Sequence, residues 1–240
     1  MSMFCEVLTR EHEVEECQCL FNAFSNSEES FNNCFYNCYN LDYNLAFGNI
    51  SKEKFLFNIL KNYYRNDYFI RYSFIKKHLF NSAAISFEEF PILNSRIDLA
   101  SINGKSIAYE IKSEYDNYLK LNKQINDYSK CFEYVYVICP ERNKEKILKY
   151  IPRFCGIYTF KEKGMSFVMF KEAERSPNLD SFEMLKLLRK DELNRYFRSC
   201  DIEKINVSYS FSVVNKYFKV ILKNRFMLKW SKLKRLAKEL

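Results

Sequence analysis

Three side chains that together can manage a divalent cation and a phosphodiester fall near the middle of the chain: Asp98, Glu110 and Lys112. Glu110 and Lys112 are two apart in the stretch Ala108-Tyr109-Glu110-Ile111-Lys112-Ser113. In an extended strand such residues project from one face. Asp98 lies in the preceding stretch, Ser95-Arg96-Ile97-Asp98-Leu99-Ala100, across Asn103-Gly104. Asn-Gly between two apolar-alternating runs is a strong hairpin signal, because both residues tolerate positive φ. Antiparallel pairing across it can set Asp98 beside the other two. Two carboxylates, with the Ile111 carbonyl directed at the same spot, make an oxygen cage suited to Mg²⁺, which keeps several of its waters. A cation held there acidifies an attacking water and neutralises phosphodiester charge. Lys112 would orient that water or stabilise the developing charge. Taken alone, Glu-x-Lys in a strand also fits an ordinary surface ion pair. The acid on the preceding strand, the tight turn and the Gln-bearing helix that follows point instead to a metal site.

The elements that must position this group read in the order α-β-β-β-α-β. Ser51 is a plausible N-cap, and Phe55, Ile59, Leu60 and Tyr63 follow at helical spacing. A second amphipathic run carries Phe69, Ile70, Phe74 and Leu79. Three strands are predicted over 83–90, ended by Pro91, then 95–102 and 106–112. Tyr118, Leu121, Ile125, Tyr128 and Phe132 then line one helix face. Residues 134–139 (Tyr-Val-Tyr-Val-Ile-Cys) read as a strand buried on both faces. A short helix over 143–150 and strands over 156–160 and 166–170 follow, the last two flanking a turn that carries Lys161 and Lys163. The expected fold is α/β: a mixed central sheet flanked by helices, with added N- and C-terminal helical segments. Residues 1–50 read as a helical extension, 51–171 as the core and 172–240 as a helical region packed on it. Within the last, helices are expected over 181–197, with Phe182, Leu185, Leu188 and Leu193, and over 217–240. That final helix is basic (Lys219, Lys223, Arg225, Lys229, Lys232, Lys234, Arg235, Lys238), with a stripe of Val220, Leu222, Met227, Leu228, Leu233 and Leu236. The stripe says packing, and the basic face is open to phosphates.

Asp98…Glu110-Ile111-Lys112 followed by Gln124-x-x-x-Tyr128 resembles the PD-(D/E)XK nuclease superfamily. The Gln-x-x-x-Tyr helix is similar to that of its RecB-like exonuclease and archaeal Holliday-junction resolvase branches. More narrowly, SRIDLASINGKSIAYEIKSEYDNYLKLNKQINDYSKCFEYVYVICPE resembles a small bacterial family within it, and RFCGIYTF and SPNLDSFEMLKLLRKDEL look like its continuation. The likeness spans roughly residues 51–200 and is specific around 95–139. It implies a restriction-endonuclease-like core (αβββαβ) and phosphodiester hydrolysis with Mg²⁺ or Mn²⁺. It makes Asp98 and Glu110 metal ligands with the Ile111 carbonyl, and Lys112 the catalytic lysine. Gln124 joins the catalytic group, and with Tyr128 positions the site or touches the substrate backbone. Many members add an acid from an earlier element. Glu89 is the first choice, with Glu88 and Glu53 as alternatives; strand alternation lets only one of Glu88 and Glu89 take part. Arg96, on the Asp98 face, either binds the scissile phosphate or pairs with Asp98 or a neighbouring acid. The superfamily's Pro before the first Asp is absent here. The implied substrate is nucleic acid, DNA ahead of RNA, in phage defence, a mobile element or repair. The alternatives are a nuclease-fold module that binds nucleic acid or protein without cutting, and a toxin or effector. Small nucleases of this fold often pair up, so a homodimer is one expectation.

Composition agrees with a folded domain. Of 240 residues, 48% are hydrophobic and 28% charged, with both signs interspersed. The net charge of +8 favours polyanions. No signal peptide or run of roughly 18 apolar residues is present, so a cytoplasmic, non-membrane protein is expected. The nine cysteines follow no disulfide framework and are expected reduced. Five lie in the first 50 residues, where Cys17-x-Cys19, Cys34-x-x-x-Cys38 and nearby His12 only loosely suggest zinc. Buried thiols in a helical appendage are the simpler expectation. The early aromatics could stack bases, but core packing is the better default.

Overall fold

A computed structural model describes residues 14–48, 50–62, 66–114, 116–161 and 166–239. His12, Tyr63 and Lys163 lie outside them, as do the side chains of Arg235, Leu236 and Lys238. The chain divides into two compact units, Met1–Ile70 with Lys238–Leu240, and Arg71–Ala237.

The first unit is built from short capped helices. They are α1 (Val14–Asn26), α2 (Glu28–Tyr39), α3 (Tyr43–Phe47) and α4 (Lys52–Asn62). Ser27 and Asp42 accept amide protons from Ser30 and Leu45, satisfying the first turns of α2 and α3. Ser51 does the same for α4 through the Lys54 amide, at 3.3 Å. Phe31, Phe35, Tyr43, Phe47 and Phe55 are all buried. They meet largely edge to face, as with Phe35 and Tyr43 at 5.1 Å and 90°. These rings form a core and are not displayed for base stacking.

Helix α5 (Asp67–Phe74) leads into a π-helical turn, Ile75–Leu79, at the start of the second unit. Six strands follow: β1 (Ile85–Ile92), β2 (Ser95–Asn103), β3 (Lys105–Ile111), β4 (Tyr134–Pro140), β5 (Gly156–Lys161) and β6 (Ser166–Lys171). They pair in sequence order in one mixed sheet. β1, β2 and β3 run antiparallel, β3–β4–β5 parallel, and β6 antiparallel to β5. The β3–β4 crossover contains α6 (Leu121–Ser129). The β4–β5 crossover contains a 3-10 turn and α7 (Lys144–Leu148). One sheet face packs Ala100, Ile102, Ala108, Val135, Val137 and Cys139 against α6 and the C-terminal helices. Across the other face Phe74 touches the rings of Tyr109, Tyr158 and Phe167. The protein is thus α/β, with a mixed sheet flanked by helices.

Several boundaries moved for physical reasons. Pro91 does not end β1; it pairs with Arg96 inside it. β1 is an edge strand, where a missing N–H costs no ladder bond. The single helix expected over 181–197 is two, α8 (Ser181–Lys186), capped by Asp180, and α9 (Lys190–Phe197). A further helix, α10 (Ile202–Ser208), carries too few apolar residues to signal itself. The last helix, α11, runs Phe211–Glu239. Its buried face is Val214, Phe218, Ile221, Leu222, Phe226, Trp230 and Leu233, whereas Met227 and Leu228 are exposed. Leu222 and Leu233 lie in the buried face as expected, and Phe218, Phe226 and Trp230 fill the positions that Val220, Met227 and Leu228 do not.

Candidate functional site

The hairpin that sets the site turns on one residue. Asn103 pairs with Lys105, and Gly104 alone takes a left-handed backbone, φ 72°. A two-residue Asn-Gly turn would shift the register by one and put Asp98 opposite Tyr109. The observed register pairs Leu99 with Tyr109, so Asp98 comes level with Glu110. A one-residue slip moves every side chain to the other face, so this turn decides whether the two carboxylates meet.

They do meet. Asp98 Oδ2 accepts the Ile111 amide proton at 2.7 Å. The Ile111 carbonyl belongs to the same edge of β3, since a strand residue turns its N–H and C=O toward one neighbour. Glu110 is 1% exposed. Lys112 Nζ donates to Glu110 Oε1 at 2.7 Å and to Gln124 Oε1 at 3.3 Å. The Tyr128 hydroxyl lies 2.6 Å from Glu110 Oε2 and 2.7 Å from the Arg96 carbonyl, and its one proton can go to either. Gln124 and Tyr128 are four apart on α6 and so share a face. Glu110, Lys112, Gln124 and Tyr128 therefore form one hydrogen-bonded group, and Asp98, bound to the Ile111 amide, interacts with Glu110 electrostatically where β2, β3 and α6 converge.

The charge balance of this group is uneven. Burial, and then Glu110 beside it, push the Asp98 carboxyl up to about 8. Burial also acts to lower the Lys112 ammonium, but Glu110 outweighs it and the net direction is up. The Tyr128 hydroxyl is pushed up by burial and by Glu110. Two apposed carboxylates that resist joint ionisation provide hard oxygen donors for a missing positive charge. The donor set fits Mg²⁺ or Mn²⁺, with Asp98, Glu110 and the Ile111 carbonyl as the groups that would hold it. Among the described residues, no three His, Cys, Asp or Glu side chains are arranged as a metal site. The side-chain donors here are those two carboxylates.

Glu89 is placed differently. It is an outlier of β1, with φ 53°. The kink breaks strand alternation, and both Glu88 and Glu89 reach Arg71, at 3.3 and 2.6 Å. The rule that only one of them can face a given partner fails here. Glu89 also pairs with Arg96 Nε at 2.6 Å, so Arg96 meets a neighbouring acid and not Asp98. Glu53 lies on α4 in the other unit.

Two nearby residues were missed from the sequence. Arg71 is 5% exposed and favours the charged form of Asp98. Its signal was a guanidinium within the apolar run Phe69-Ile70-Arg71-Tyr72. Asp116 accepts from the Ser113 amide and hydroxyl at 2.7 and 2.6 Å, closing the loop after Lys112. On α11, Lys219 and Arg225 are taken up by Glu133 and Glu192, while Lys229 and Lys232 are exposed. No described helix is long and apolar enough to cross a membrane.

A family profile described as bacteriophage P4 protein cII matches residues 52–237. Protein cII of Enterobacteria phage P4 is 26% identical over 167 residues, covering 63% of this chain and 62% of that relative. The chain thus spans less than two thirds of the relative's length. Among solved structures, the SPO1766 protein of unknown function from Silicibacter pomeroyi overlaps 43% of this chain and 68% of its own, with 15% identity and a TM-score of 0.35. That likeness is too weak to carry an argument.

Proposed function

The chain belongs to the bacteriophage P4 protein cII family, and from its sheet-bound carboxylate pair we propose that it is a divalent-metal-dependent nuclease with a restriction-endonuclease-like core. The single observation that supports this is the meeting of Asp98 and Glu110 beside Lys112, with Asp98 pushed up to about 8 by burial and by Glu110. The PD-(D/E)XK resemblance supplies the reaction class. A bound Mg²⁺ or Mn²⁺ would acidify an attacking water and offset phosphate charge. The chain's own residues do the rest. Glu110 anchors the Lys112 ammonium, which can then meet a developing oxyanion without reorganising. Gln124 shares that ammonium and limits its rotation. Tyr128 holds the second Glu110 oxygen, fixing the carboxylate plane. The substrate proposed is DNA ahead of RNA, in keeping with the +8 net charge. A cytoplasmic location and a homodimer able to cut two strands belong to the same proposal, with phage defence, a mobile element or repair as its settings.

A second reading, a nucleic-acid-binding module that does not cut, draws on the closure of the network: both Glu110 oxygens are already engaged. The toxin or effector alternative adds no observation of its own. One assay separates cutting from binding. Linear, circular and single-stranded DNA and RNA are incubated with Mg²⁺, Mn²⁺ or EDTA, alongside Asp98→Ala and Lys112→Ala. The nuclease reading expects metal-dependent cleavage lost in both variants, with binding retained. Cleavage that survives either substitution, or none under any condition, overturns it.

A further inference from the structure

The α1–α2 hairpin carries a thiol arrangement for which the nuclease reading has no use. The two helices are joined at Ser27, the N-cap of α2, and fold back on one another. Positions at nearly equal separations on either side of Ser27 therefore come close. Cys19 faces Cys34 in this way, and Cys17 comes near Cys38. The Cys19 and Cys34 sulfurs are 2.8 Å apart. Cys19 is exposed and Cys34 is 8% exposed. Cys38, one turn along α2, shares a hydrogen bond with Cys34.

This spacing discriminates between two chemistries. Thiolates bound to one tetrahedral zinc at about 2.3 Å stand roughly 3.8 Å apart, farther than Cys19 and Cys34 do. A disulfide brings sulfurs to about 2.0 Å, so this pair lies within about 1 Å of bonding. We propose that Cys19 and Cys34 are a redox-modifiable pair that closes to an intramolecular disulfide, stapling α1 to α2. The oxidant is a low-molecular-weight disulfide, RSSR. The exposed Cys19 thiolate, its proton lost to solvent, attacks one sulfur of RSSR. The old S–S bond breaks, one RS⁻ leaves, and Cys19 holds a mixed disulfide. The Cys34 thiolate, likewise deprotonated, then attacks Cys19 Sγ, forming the protein disulfide and expelling the second RS⁻. Two protein thiols are oxidised, one RSSR is reduced, and the two released protons convert RS⁻ to RSH.

The test treats the full chain with oxidised glutathione and maps peptides without reduction. The expected result is loss of two free thiols per chain and a Cys19–Cys34 cross-linked peptide. With Cys34→Ser, Cys19 should stop at the glutathione adduct, which shows the resolving role of Cys34. A stable Cys19 adduct in the unmodified sequence overturns the proposal. So does a Cys34–Cys38 link, or a disulfide joining two chains through Cys19. One zinc per purified chain that protects these thiols until it is chelated also overturns it.

Discussion

Two buried carboxylates of the second unit are managed in opposite ways. Glu133 stands just before β4 and receives the Ser106 amide at 3.0 Å, Lys219 at 3.0 Å, Asn215 at 3.0 Å and Arg175 at 3.4 Å. Burial acts to raise it, but Lys219, Asn215 and Ser106 overcome that and hold it below the ordinary carboxylate value. Glu110, toward the other end of β3, has one lysine, one tyrosine and a second carboxylate beside it. The first cluster has surplus positive charge and ties α11 to the sheet. The second lacks positive charge, and Asp98 registers the shortfall. Burial raises both sites; at Glu133 its partners outweigh that, whereas at Asp98 the neighbouring Glu110 adds to it.

The widest separation of the two clusters should be catalytic. Asp98→Ala and Lys112→Ala are each expected to lower DNA cleavage at least roughly hundredfold, whereas Glu133→Gln should leave turnover per folded molecule unchanged. Next comes stability. Glu133→Ala strands Lys219 and Asn215 and should cost about 3 kcal/mol in denaturant unfolding. Asp98→Asn should instead raise Tm in EDTA, because it removes the cost of burying an ionisable carboxyl beside Glu110.

The two carboxylates also predict opposite pH slopes. Asp98 is raised when folded, so its contribution is fully present below the unfolded carboxyl value of about 4. It is lost as pH rises through about 8. Mn²⁺ should abolish that loss, and Asp98→Asn should remove both the slope and the Mn²⁺ effect. Glu133 is lowered when folded, so its contribution is present above the unfolded value and lost as pH falls through the folded one. Denaturation midpoints across acidic to mildly alkaline pH, in EDTA and in Mn²⁺, read both. The smallest effect joins the clusters. Gly104 sets the Asp98–Glu110 register, and its carbonyl accepts Lys219 at 2.7 Å. Gly104→Ala should cost about 1 kcal/mol for its left-handed backbone and weaken both sites slightly.

Much of this was legible from residue types. Period-two alternation announced β2 and β3, and the unbroken Tyr-Val-Tyr-Val-Ile-Cys run announced a strand covered on both faces. Gln124 and Tyr128 entered through the resemblance to the superfamily's Gln-x-x-x-Tyr helix, and their hydrogen bonds bring them to Lys112 and Glu110. Glu88 and Glu89 meet the same arginine because the positive φ of Glu89 interrupts the alternation that a regular strand would impose. Arg71 was missed because nothing local says which acids a lone arginine will meet. The α11 stripe was read in part: Leu222 and Leu233 are buried, but Phe218, Phe226 and Trp230, large rings that dominate a packed face, were passed over for Val220, Met227 and Leu228.

The order of elements, the mixed α/β class and the identity of the acidic and basic groups follow from sequence alone, because periodicity and turn chemistry act over a few residues. Whether Asp98 comes level with Glu110 depends on a single-residue turn at Gly104, and whether Glu88 and Glu89 share an arginine depends on one kinked backbone angle. Turn type and backbone kinks are choices that the residue types leave open, since Asn-Gly permits more than one hairpin turn, so only the tertiary structure decided them.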